Sequence, residues 1–349
     1  MSTVREKLEA IAAYTISADD EATAMMRTWQ WGQGVALYAL TKAYEHTGDE
    51  RILDYVENWL DKRLERGLPG HSINTTAPVL AALRLMRLRN SRKYIPLCES
   101  FANWCLHEAP RSLENAYEHS CTENVYPNQI WADTLFMGGI FLAEWGAYTG
   151  DLTYTQEALR QFVLHYKYLG DADTGLLVHG YYGNEGKQVG TLWGRGNGWF
   201  AASSVDVLPY FEQLPAYETA LNNYRKHTDG FLPYQDPFGA WHTVINDAST
   251  YLEASVTAAF AYGLNEGIRK GLLPAGPYRD HAKRAIEELS RYISPEGRVL
   301  CGSDGTCVMP TAAEYNAIGF KVTAFTQGLA MLACMSEMAI ESSIAGKGG

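Results

Sequence analysis

Apolar residues recur at helical spacing along almost the whole chain, and the helices they mark come in pairs. Residues 34–46 and 52–66 flank Thr47-Gly48-Asp49, where the glycine suits a helix end and the aspartate can cap the next helix. Further pairs are expected at 75–89 with 93–107, 131–148 with 152–168, 196–212 with 216–227, and 251–270 with 277–293. A last apolar helix is predicted over 318–339, and the N-terminal helix 3–15 has no other partner. The Thr-Gly-Asp turn recurs at 149–151, and a repeat of roughly 50–60 residues points to a solenoid or a closed helical array. An open solenoid needs polar caps at both ends, and the final helix is too apolar to act as one. The pattern therefore predicts an all-α fold, an (α/α)6 barrel of six hairpins forming one domain over residues 1–349. The first helix of each pair is richer in Gly, Ala and aromatics, as a crowded inner ring requires, and the second is more charged.

Four long segments interrupt this regularity, at 109–130, 171–195, 229–249 and 296–316. They are rich in Gly, Asp, Pro, Tyr and Trp and lead into inner helices, and long loops in a compact domain are usually functional. The stretch 176–181 predicts a small β-hairpin at the rim. A formal charge of −11 and the absence of any basic stripe argue against nucleic-acid binding. Apolar runs are too short to span a bilayer. The charged, amphipathic N-terminal stretch has no apolar signal segment, so a cytoplasmic location is expected. The six cysteines form no Cys-x-x-Cys pair and no zinc-ligand pattern; they read as free, mostly structural thiols, with Cys98 and Cys105 on one buried helix face. Nine Trp and 22 Tyr against 11 Phe suit a sugar-binding cleft, because both rings join an apolar face to a polar handle.

Four segments place polar and aromatic residues at the mouths of inner helices. They begin at Trp29-Gln30-Trp31, at Tyr126-Pro127-Asn128-Gln129-Ile130-Trp131-Ala132-Asp133, at His179-Gly180-Tyr181, and at Trp193-Gly194-Arg195-Gly196-Asn197-Gly198-Trp199. Trp29 and Trp31 could plug a helix end, and Arg195 alone could be a salt-bridge partner. Asp133 enters an apolar helix beside Trp131, where it is either an N-cap or a working carboxyl whose pKa desolvation raises toward neutrality. Arg195 is flanked by glycines, whose small size lets the backbone approach a ligand closely.

Taken together, YPNQIWADTLFMGGIFLAEWGAYTGD, HGYYG and WGRGNGW resemble glycoside hydrolase family 105, the unsaturated rhamnogalacturonyl hydrolases, related to the unsaturated glucuronyl hydrolases of family 88. The resemblance runs from the WQWGQGVALYAL segment at Trp29 to YNAIGFKVTAFTQGLAMLA near Leu329. It implies an (α/α)6 barrel that releases a 4,5-unsaturated uronic acid from the non-reducing end of lyase-generated oligosaccharides. In such enzymes one aspartate protonates C4 and then helps water add at C5, after which the hemiketal opens. Asp133 matches that residue. The substrate pocket it implies comprises Trp29, Trp31, Asn74, Gln129, Trp131, His179, Trp193, Arg195, Asn197 and Trp199. No metal or organic cofactor is implied. The expected partner is a small oligosaccharide, with the protein a monomer or weak homo-oligomer.

Two departures stand out. Family members commonly carry a second aspartate where this chain reads Gly70-His71-Ser72-Ile73-Asn74-Thr75, so Asn74, Ser72 or His71 must serve there. Where they often have His-Lys, this chain has Thr122-Glu123, with His119 slightly displaced. Alternatives from other classes are an unsaturated glucuronyl hydrolase, a sugar epimerase using two of His71, His119, His179 and His242, and a non-catalytic carbohydrate sensor lacking the carboxylate.

Overall fold

The computed structural model describes residues 3–17, 25–122 and 126–345. Helix α1 (Val4–Ser17) opens the chain, and five hairpins follow. These are α2 (Trp31–Thr47) with α3 (Glu50–Arg66), α4 (Ile73–Leu88) with α5 (Ile95–His107), α6 (Ile140–Thr149) with α7 (Leu152–Leu169), α8 (Gly194–Phe211) with α9 (Tyr217–Phe231), and α10 (Ala254–Arg269) with α11 (Gly276–Tyr292). After the short α12 (Ala312–Asn316), α13 (Ala324–Ala345) returns to pack on α1 and, on its other flanks, on α10 and α2. That last contact closes a ring of inner helices α2, α4, α6, α8, α10 and α13, with the remaining long helices outside it. The architecture is the (α/α)6 barrel predicted from the pairing.

The local reasons are visible in the sequence. Gly48 and Gly150 both end their helices in the left-handed region, at φ 67° and 76°. Asp49 and Asp151 then cap α3 and α7, accepting from the backbone N–H of Arg51 and Thr153. Outer helices bury one stripe: α3 buries Ile52, Leu53, Val56, Trp59 and Leu60 and leaves its charged face in water. Inner helices are buried nearly all round, which demands close approach. A Cβ on Gly34 of α2 would lie 2.5 Å from the backbone carbonyl carbon of Ala77 in α4. The predicted buried pair, Cys98 and Cys105, lies in the core of the α5 face, and all six cysteines are free.

Differences from expectation fall at the mouth. The 131–148 helix begins instead as strand β1 (Gln129–Trp131), then passes through a π-helical turn (Leu135–Gly139) before α6. The hairpin expected at 176–181 lies a little later, as β2 (Gly180–Tyr182) and β3 (Lys187–Val189), and β1 adds to it as a third antiparallel strand. A second pair, β4 (Trp241–His242) with β5 (Leu252–Glu253), precedes α10, and the last helix starts only at Ala324, after a non-helical stretch in which Phe320 bridges to Ser303. Glu123 and the two residues after it lie outside the described residues.

The Gly34 contact gives a test. Gly34→Ala gains about 1 kcal/mol of helix propensity, but forcing a methyl against a backbone that no rotamer change relieves costs about 1–3 kcal/mol. The variant is expected to unfold at lower urea concentration. A midpoint at or above wild type would show that α2 and α4 do not meet there.

Candidate active site

The N-terminal ends of the inner helices converge on a cavity of about 490 Å³, walled by Trp31, Asn74, His119, Trp131 and Asp133 and by the loop Gly305–Cys307. Backbone pairing delivers Asp133 to it. Strand β1 sits against β2 with Trp131 opposite Gly180, and the Ala132 N–H donates to the His179 carbonyl at 3.1 Å. His179 and Asp133, remote in sequence, are thereby neighbours. The Asp133 carbonyl accepts from Phe136 and Met137 and starts the π-helical turn, a local distortion often found at functional sites. Its carboxylate does not cap the helix. Instead Oδ2 lies 3.2 Å from Nε2 of His179, whose Nδ1 lies 2.6 Å from the Tyr315 hydroxyl.

Electrostatics reverse one expectation. Burial by itself raises the Asp133 carboxyl, as the sequence suggested, but the His179 hydrogen bond and the fields of His179, His119 and Arg195 carry it below its ordinary 3.8. Asp133 is therefore a carboxylate in the free site. Burial lowers His179, and it pushes His119 down to about 4. His119 stacks flat on Trp131, ring centroids 4.5 Å apart at 9°, with Nδ1 3.1 Å from the Thr134 hydroxyl.

Of the residues expected in the pocket, Trp31, Asn74, Trp131 and Asp133 line the cavity. Gln129 lies behind Trp131, its Oε1 accepting from the indole N–H at 2.9 Å. His179 is buried behind the cavity wall, in contact with Asp133 and, edge-on, with Trp131. Five others are corrected. Trp29 is buried, stacks on Trp59 and donates to the Thr75 carbonyl, so it plugs the α2 end. Trp199 lies in the core beneath Trp31, edge-on at 6.1 Å. Trp193 is buried between His179 and Tyr315. Asn197 spends its amide on the Leu177 N–H and carbonyl and on the Trp193 carbonyl, tying α8 to the preceding loop. Arg195, 1% exposed, is sandwiched by Trp193 and Phe325. Its two terminal nitrogens donate to Ser303 and to the Asp304 carbonyl, and Glu253 lies 3.9 Å away. It anchors the loop that walls the cavity, and reaches Asp133 only as a field. Tyr315 and the Gly305–Cys307 wall lie in the 296–316 loop that the sequence marked out, but neither could be named, because a residue 136 positions from His179 carries no spacing that links the two.

Whole-chain comparisons show the family and the fold. Residues 6–340 match Glycosyl Hydrolase Family 88. The chain belongs to that family. It is 33% identical over 309 residues to the unsaturated rhamnogalacturonyl hydrolase YesR of Bacillus subtilis, covering 87% of this chain and 88% of that one. The crystal structure of a possible GH105 member from Salmonella enterica superposes with a TM-score of 0.91 at 28% identity, covering 97% of this chain and 94% of the other. The unsaturated glucuronyl hydrolase of Bacillus sp. GL1 shares the fold, at a TM-score of 0.75 and 17% identity over 95% and 96% of the two chains. The chain is thus a family 88 glycoside hydrolase allied with GH105. The epimerase alternative needs two free imidazoles, whereas both nitrogens of His179 are engaged, His242 faces the Thr250 carbonyl and His71 stacks on Trp104. Among the described residues no group of three or more His, Cys, Asp or Glu could hold a metal ion, and no helix is long and apolar enough to cross a membrane.

The placement of Arg195 sets an expectation. Arg195→Ala leaves Glu253 buried without its counter-charge, so the family 88 fold should lose about 3–5 kcal/mol of unfolding free energy. Arg195→Lys should lose less. Unchanged unfolding with weakened binding of the acidic sugar alone would put the guanidinium on the substrate instead.

Proposed function

We propose that the enzyme releases a 4,5-unsaturated uronic acid from the non-reducing end of oligosaccharides left by a polysaccharide lyase, with unsaturated rhamnogalacturonan disaccharide as its substrate. One observation carries the reading: among the described residues lining the cavity, Asp133 is the only carboxylate. Ordinary glycosidases need two, set apart by a distance that fixes the stereochemical course. Hydration of an enol ether needs one, used twice. A proton goes to C4, positive charge develops at C5 and spreads to the ring oxygen, and water adds at C5 as Asp133 takes its proton. The hemiketal opens and the next sugar leaves. Trp31 and Trp131 offer ring faces to the sugars, and the likeness to YesR supports rhamnogalacturonyl as the substrate class.

The ionised resting state of Asp133 finds its counterpart in the substrate. A uronate brought to about 5 Å adds roughly 3 kcal/mol of like-charge repulsion at an effective dielectric near 20, about two pKa units. The charge of the substrate therefore raises the proton affinity of Asp133 as it binds. The converging helix N-termini, each carrying partial positive charge, offset the net charge of −11 at the mouth. Six free thiols fit a reducing compartment such as the cytoplasm, where products of pectin lyases would arrive as short oligosaccharides.

Two measurements test this. Asp133→Asn should lower activity at least about 10²-fold, read as loss of ultraviolet absorbance from the conjugated double bond of unsaturated pectin disaccharides. Retention of more than about a tenth of the activity would sink the assignment. The sign of the pH dependence follows from proton loading: kcat should be level on the acid side and fall as pH rises through the pKa of the complex. A kcat that climbs with pH over that range would make Asp133 a base only.

A further inference from the structure

We propose that Tyr315 is a positioning residue that fixes the tautomer of His179 and, through it, the proton affinity of Asp133. This rests on the reading of Asp133 above. Tyr315 lies on α12, is fully buried, and its ring stacks at 28° on Trp193. Its oxygen has two neighbours. The backbone N–H of Met309 donates to it at 3.0 Å, and Nδ1 of His179 is 2.6 Å away. Because a backbone N–H can only donate, the phenol oxygen is an acceptor there. Its own proton then has one partner among the described residues, Nδ1 of His179. Burial holds the phenol well above its ordinary pKa, so that proton stays on. The imidazole must therefore carry its single proton on Nε2, which points at Oδ2 of Asp133, 3.2 Å away. The chain runs one way: Met309 N–H to Tyr315, Tyr315 O–H to His179 Nδ1, His179 Nε2–H to Asp133.

The opposite arrangement is disfavoured at both ends. With the proton on Nδ1, Tyr315 would accept twice and leave its hydroxyl proton buried without a partner, which costs about 1–3 kcal/mol. At the other end, a bare Nε2 would face Oδ2, an arrangement tolerated only if Asp133 is protonated. Loading a proton onto Asp133 against His179 thus works against Tyr315. The other charged or titratable neighbours are His119 and Arg195 beside Asp133, and Cys307 and Tyr182 beside Tyr315. None of them hydrogen-bonds His179. Tyr315 holds the free site in its ionised form and leaves the uronate to supply the drive for proton uptake. Because α12 belongs to the same long loop as Gly305–Cys307, the residue that sets the proton and the wall that meets the sugar lie on one segment.

The test has two parts. In uniformly 15N-labelled wild-type protein, with the His179 resonances assigned by their loss in His179→Gln, the ring should show its proton on Nε2 at neutral pH. A proton on Nδ1 overturns the inference whatever the variants do, and leaves the Asp133 reading standing. In Tyr315→Phe the falling limb of the kcat profile should move to higher pH by roughly half a unit or more, as the penalty against protonated Asp133 is removed. A uniform loss of kcat at every pH with an unmoved limb would reduce Tyr315 to a packing role and overturn the inference. Full activity in Asp133→Asn, by contrast, would defeat the reaction assignment and leave the tautomer result intact.

Discussion

Six inner helices must approach one another backbone to backbone, and everything else in the barrel answers to that constraint. Where Gly34 meets Ala77, and where a Cβ on Gly328 would lie 2.8 Å from the Val35 carbonyl, no side chain fits between the helices. Apolar burial drives such packing without direction, but the steric fit selects Gly and Ala at the crossings. The middle of the barrel is consequently filled with Trp, Phe and aliphatic side chains, and polar chemistry is displaced to the two ends of the inner ring.

The two ends carry different polar solutions. Toward the C-terminal ends, Asp206 of α8 accepts from Tyr38 and Lys42 of α2 and from Tyr262 of α10, at 2.7–2.8 Å. A buried carboxylate so fully paired is held far down the acid range by Lys42 and Lys270 despite its burial. It ties three inner helices together and has no lone pair directed at a ligand. At the N-terminal mouth, Asp133 is paired once, by an imidazole that is itself oriented from behind, and the rest of its carboxylate borders the cavity. The same residue type is structural at one end and chemical at the other because of how many donors surround it.

Legibility followed the range of the interactions. Helix pairs, Thr-Gly-Asp turns and their aspartate caps depend on residues within a few positions of each other, and all could be read. Asp133 could be singled out because its neighbours Trp131 and the apolar 134–141 run lie beside it in sequence. Its pKa direction could not, since the donor that outweighs desolvation comes from His179 across a strand pairing. Arg195 misled for a related reason. A glycine-flanked arginine looks open to a ligand, yet those glycines admit close packing of neighbouring segments, with a Cβ on Gly194 falling 2.8 Å from the His242 carbonyl oxygen of β4. Trp199 and Asn197 sit one helical turn deeper than the mouth, and depth along a buried helix leaves no mark in periodicity.

What the sequence determined by itself is the alternation of helices, their closure into six pairs and the presence of one carboxylate in an aromatic setting, because each is written in contiguous residues. Only the tertiary structure decided which aromatics face the cavity, that Arg195 serves a loop, and that Tyr315 and His179 meet behind Asp133. Those outcomes depend on the register of β1 against β2 and on where a long loop lands, and such choices are settled by three-dimensional packing between segments 46 to 136 residues apart.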